Sequence, residues 1–99
     1  MSDNETPLAP NFSLRHVPEK YRYELLDGEN LIGTAGYLPD ANNFAWDFNS
    51  THVSDEYGGR GLAAHLVRYA LTDAKATGHQ ITASCSYVVL FLRKHPELA

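Results

Sequence analysis

Ninety-nine residues with a mass of 11.0 kDa, 43% hydrophobic and 20% charged, describe one compact domain and leave no room for two separate cores. Eight Lys and Arg stand against twelve Asp and Glu, a net charge of −4 that speaks against nucleic acid as a partner and suits a cationic substrate better. The longest apolar run, Tyr87 to Leu92, is far below the ~20 residues of a membrane span, and the lone cysteine, Cys85, excludes an internal disulfide and fits a reducing compartment.

Residues 1–11 are polar and proline-bearing, with neither a basic start nor an apolar centre. They predict a frayed tail, no secretory signal and, by default, a cytoplasmic protein. The domain is expected over 12–99. From Phe12 to Val53 the chain is rich in β-branched and aromatic residues, punctuated by Pro18, Asp27-Gly28, Pro39-Asp40 and Asn42-Asn43. Four strands are expected, at 12–17, 21–27, 30–38 and 44–53, joined as an antiparallel meander. In the fourth, Phe44, Trp46 and Phe48 share one face, and Asp47 and Asn49 the other. Unbroken alternation would then send His52 to the core and Val53 to solvent; one extra residue near Ser50 and Thr51 returns Val53 to the inside, so a bulge is expected there.

After Gly61 the period becomes helical. Leu62, Ala63, Leu66, Val67, Ala70, Leu71 and Ala74 form an apolar stripe, and Gly78 ends it. Gln80 to Cys85 predicts a fifth strand, and Ser86 to Lys94 a short helix stopped at His95-Pro96. The fold class is therefore α+β, a four-strand meander followed by a strand–helix–strand unit with strands four and five parallel. Their carboxyl ends lie together, which gathers Val53, the loop of residues 55–63, and Cys85 to Tyr87 into one place.

That loop carries Gly58, Gly59 and Gly61 around Arg60 and runs straight into Leu62 and Ala63 of the helix. Glycines let backbone amides approach a ligand closely, and a helix start offers unpaired donors with the positive end of its dipole, which suits an anion such as a diphosphate. Neither the P-loop spacing nor the dinucleotide spacing is present. Arg60 is a candidate phosphate contact or a solvated side chain.

Thr51-His52-Val53, Gly58 to Ala63, Leu66-Val67, and Cys85-Ser86-Tyr87-Val88 with His95-Pro96 together resemble a small single-domain GNAT-like N-acetyltransferase, over nearly the whole chain after the tail. The superfamily signature places Gln or Arg where this chain has Gly58, so only its second half, Gly61-Leu62-Ala63, matches. The resemblance implies that the backbone of this loop holds the pyrophosphate of acetyl-coenzyme A, that the fourth strand is bulged, and that the pantetheine arm lies between strands four and five. It also implies that the Val53 N–H stabilises the oxyanion, and that Tyr87 protonates the leaving thiolate, the alternative being that Tyr87 only packs.

Cys85, at a strand end just before a helix, suits either an acyl-accepting thiolate or a polarizable wall of the thioester pocket. Ser86 caps that helix or contributes to cofactor binding. His52 is a candidate base for the amine, a partner for the thiol, or a structural histidine. His16, His65, His79 and His95 lack ligand spacing, and no metal is expected. The expected activity is transfer of acetyl from acetyl-coenzyme A to an amine of a small molecule or protein. The alternative is a non-catalytic acyl-coenzyme A binding or sensing module, and either a monomer or a homodimer suits so small a sheet.

Overall fold

The computed structural model describes residues 7–99. Five strands, β1 (Phe12–Val17), β2 (Arg22–Asp27), β3 (Asn30–Pro39), β4 (Ala45–Val53) and β5 (Gln80–Ala83), form one sheet in sequential order. The first three pairings are antiparallel, and β4 with β5 is parallel, reached through the helix α1 (Leu62–Ala76). A second helix, α2 (Ser86–Lys94), follows, and short 3-10 turns occupy Pro18–Lys20, Asp55–Tyr57 and Pro96–Leu98.

The core gathers on one face of the sheet. Leu62, Leu66, Val67, Ala70, Leu71 and Ala74 of α1 are buried there against Tyr23, Leu25, Ala35 and Phe48, joined by Val88 and Phe91 of α2. The period of the α1 stripe matches the buried set because residues three and four apart share a helix face. Gly78, at φ +90°, lets the chain reverse: its N–H donates to Lys75 O and that of His79 to Ala74 O, the paired bonds that close a helix with a left-handed residue. The opposite face of the sheet is open, with Ser13, Arg15, Ser50, His52 and Thr82 exposed along it. Among the described residues its one buried charge is Glu24, 2% exposed, held by Arg15 and Arg22, each 2.7 Å away.

Three expectations change in detail. Phe44 is exposed rather than in line with Trp46 and Phe48, because the turn before β4 holds its N–H on Asp40 Oδ1 at 2.8 Å and the strand starts only at Ala45. Tyr21 stands outside β2 with φ +54°, closing the turn begun at Pro18. The fifth strand ends at Ala83 rather than Cys85, for a reason that belongs to the site below. Of the expected tail, residues 1–6 lie outside the described residues. Residues 7–11 follow the domain surface: Leu8 packs on the core, Phe12 N–H donates to Ala9 O at 3.0 Å, and Asn11 O accepts the Gly28 N–H at 2.9 Å.

Candidate active site

The site is built on a break in β4. Opposite β3, Gly36 pairs with Ser50 and Tyr37 with Phe48, so Asn49 is the extra residue. The bulge thus falls one position before the expected Ser50-Thr51, and its effect on phase is as expected. Trp46 and Phe48 are buried, Asn49, Ser50 and His52 are exposed, and Thr51 and Val53 turn back toward the core face. Gly36 accommodates the kink: a Cβ there would lie 2.6 Å from Ser50 Oγ.

At the same level β5 leaves β4. The parallel pairing ends at Phe48 with Ala83, and the Phe48 carbonyl then accepts both the Ser84 and Cys85 N–H at 3.1 Å. Two amides converging on one oxygen turn the chain out of the strand, which is why β5 is shorter than its composition predicts. Beyond this fork β4 continues alone for residues 49–53, paired only to β3. Ser54 N–H donates to Ile32 O on the β3 side at 2.8 Å, so alternation aims the Val53 and Thr51 amides away from β3 and into the gap.

Cys85 stands where the gap closes. It, and not Ser86 as expected, is the N-cap of α2, because the helix already begins at Ser86; it is partly buried, with Sγ 3.6 Å from Thr51 Oγ1. Burial pushes this thiol up, but the Val88 amide in the first turn of α2, the Thr51 hydroxyl, and the Tyr87 and Thr51 amides outweigh it and hold the thiol below its ordinary value. Alkylation of Cys85 by iodoacetamide is therefore expected to reach half its limiting rate at a lower pH than free cysteine, whose pKa is about 8.5. Thr51→Val should move that half-point upward, by removing one of the groups that favour the thiolate.

The glycine loop faces the same end of the sheet. The Gly58 N–H is used internally, on Asp55 O at 2.9 Å. Gly59 and Gly61 have φ +78° and +74°, and Gly61 is the N-cap of α1 without a side-chain cap bond. Among the described residues, the amides of Gly59 to Ala64 have no acceptor in the protein; the first bond of the helix is His65 N–H to Gly61 O at 3.3 Å. A run of outward donors at the positive end of a fifteen-residue helix suits an anion. Arg60 is exposed, with its guanidinium 5.3 Å from the Tyr57 ring centroid.

The structure thus brings Cys85, Val53 and the loop of residues 58–63 to one end of the sheet, with Ser86 and Tyr87 on the first turn of α2. Tyr87 is 39% exposed and its ring lies 6.3 Å from that of Phe91. His52 is set apart: Thr51 and Val53 share the face of Cys85, and His52 lies on the open face. It is therefore not placed as a partner of the thiol. Thr51 takes that position, and its signal was in the sequence, since a residue two before Val53 shares its side of the strand. Among the described residues, no three His, Cys, Asp or Glu side chains are placed to hold a metal ion, and no helix is long and apolar enough to cross a membrane.

The fold and the loop have relatives. A protein of Staphylococcus aureus, solved in solution by NMR and provisionally assigned as a GCN5-like N-acetyltransferase, is similar over 91% of this chain and 86% of its own, with 26% identity and a TM-score of 0.68. A transcriptional regulator from Bacillus halodurans shares the fold at 20% identity and a TM-score of 0.53; this chain spans 60% of its length. No curated protein matches the sequence. The family model for GCN5-related N-acetyltransferases matches residues 22–99, from β2 through the fork, the glycine loop and both helices. With more than three quarters of its length in that match, the chain is a member of the GCN5-related N-acetyltransferase family.

Proposed function

We propose that the protein transfers an acetyl group from acetyl-coenzyme A to an amine, with Cys85 as the intermediate acyl carrier. The observation that carries this reading is the fork at Phe48. It parts β4 from β5, leaves the Thr51 and Val53 amides facing the gap, and sets a thiol with a lowered pKa where the gap closes.

Bound acetyl-coenzyme A supplies the thioester. The unpartnered amides from Gly59 to Ala63, with Arg60 beside them, hold its diphosphate, and Ser86 borders the arm at the start of α2. The Cys85 thiolate attacks the thioester carbonyl, and the Val53 N–H donates to the oxygen as charge develops on it. The carbon–sulfur bond to coenzyme A breaks as a carbon–sulfur bond to Cys85 forms. Tyr87, two residues on, is the proton source for the departing thiolate. An unprotonated amine then attacks acetyl-Cys85, the new carbon–nitrogen bond replaces the one to sulfur, and the Cys85 thiolate is restored. The proton of the attacking amine passes to a base, for which His52, exposed on the open face of the same strand, is the candidate, through solvent rather than by contact with the thiol. The acidic balance of the chain favours a cationic acceptor.

Incubation with acetyl-coenzyme A and a panel of polyamines and lysine peptides is expected to release free coenzyme A thiol with at least one acceptor. Tight binding without thiol release from any acceptor would instead support the acyl-coenzyme A sensor.

A further inference from the structure

The fork is also held from the open face of the sheet. Asp47 lies between Trp46 and Phe48 on β4, so alternation turns its side chain away from the core, to the face that carries Thr82 and Ser84. Thr82 Oγ1 donates to Asp47 Oδ1 at 2.8 Å and Ser84 Oγ to Oδ2 at 2.6 Å, one hydroxyl on each oxygen of the carboxylate. Strands ordinarily avoid Asp, and here its two bonds tie β4 to the end of β5.

β5 needs such a fastening. It is the last strand of the sheet and four residues long, and among the described residues its backbone ladder runs on the β4 side alone, Gln80 to Ala83 against Ala45 to Phe48. Parallel pairing of this kind is slightly weaker per residue than antiparallel pairing. Ser84, just past the ladder, is held twice: its N–H by Phe48 O at 3.1 Å and its hydroxyl by Asp47. Cys85 is the next residue, packed toward the core, with its Sγ on Thr51 Oγ1 across the fork. A carboxylate on one face of the sheet thus fixes the residue from which the thiol hangs on the other.

We infer that Asp47 is a positioning residue for the Cys85 thiol, acting through the Ser84 hydroxyl. With this clamp closed, Cys85 stays against Thr51 and the first amides of α2; with it open, the end of β5 shifts and the thiolate loses those donors. The part this plays in acetyl transfer rests on Cys85 as acyl carrier, and the test reads the two claims separately.

Alkylation by iodoacetamide across pH reads the thiol with no donor present. In Asp47→Ala and in Ser84→Ala the half-point is expected to rise by about 0.5 pH units, roughly a threefold loss of thiolate below the half-point. Ser84→Thr, which keeps the hydroxyl, should restore the wild-type value. The sign is diagnostic, because loss of a carboxylate for its charge alone favours the thiolate and lowers the half-point. Absence of a rise in either alanine variant, with the fold confirmed by a thermal melt, overturns the inference. Should Asp47→Ala fail to fold, Ser84→Ala and Ser84→Thr decide. Mass spectrometry after mixing with acetyl-coenzyme A then tests the carrier: acetyl-Cys85 is expected to form about tenfold more slowly in Asp47→Ala, since a reacting group displaced by ~1 Å can lose ~100-fold in rate. A wild type that forms no acetyl-Cys85 overturns the carrier reading and leaves the placement of the thiol by Asp47 standing.

Discussion

Gly61→Asp is expected to abolish acetyl-coenzyme A binding while the protein still folds. Gly61 sits at φ +74°, and a Cβ added there meets nothing within 4 Å, so the substitution costs conformational strain without a clash. Asp is among the side chains that enter the left-handed region most readily, and the loss of stability should stay near ~1 kcal/mol. The effect on the ligand is of another size. A carboxylate at the N-cap of α1 occupies the end of the helix that the diphosphate is proposed to use, and like charges about 4 Å apart near a protein surface repel by roughly 4 kcal/mol. A loss of at least ~100-fold in affinity follows, since each 1.4 kcal/mol is about tenfold. Calorimetry reads the affinity, and a thermal melt confirms that the fold survives. Unchanged affinity in a folded Gly61→Asp protein would remove the loop from the mechanism.

Cys85→Ala should lower turnover about 10²-fold or more and eliminate the acetyl-enzyme seen by mass spectrometry after mixing with acetyl-coenzyme A alone. The magnitude follows from removing the nucleophile of a two-step route while leaving the oxyanion donor and the binding loop in place. Binding of the donor should change little, because the thiol lies at the closed end of the gap and the amides proposed to hold the diphosphate belong to the loop before α1. This split, with turnover strongly lowered and affinity kept, distinguishes Cys85 from Gly61. Full turnover in Cys85→Ala would establish direct transfer from thioester to amine, with Cys85 as a wall of the pocket.

The sequence revealed most where it carries hard punctuation. Asp27-Gly28 and Gly78 end elements where positive φ is required, and the α1 stripe repeats with helical period, so these boundaries fall within a residue or two of the structure. The bulge was legible from the phase of Trp46, Phe48 and Val53, but not its location. Asn49, Ser50, Thr51 and His52 are all polar, and alternation among polar residues does not show which one is extra. The early end of β5 depends on one carbonyl taking two amides, a geometry with no signature in composition. Nor does local pattern reveal a pairing such as Tyr57 with Asp27, thirty residues apart. Residues 7–11 looked like tail because proline and polar residues dominate them, yet a single leucine reaches the core.

The lone half of β4 is, in effect, a second sheet edge, opened where β5 turns away. Edges of sheets ordinarily lie at the rim, where exposed amides invite pairing with another chain. Past Phe48 the Thr51 and Val53 amides turn to the side that β5 has left, at a separation of about 6.6 Å set by the rise of a strand. In the proposed reaction, this edge is where a slender guest carrying amide groups of its own completes the sheet as a surrogate strand.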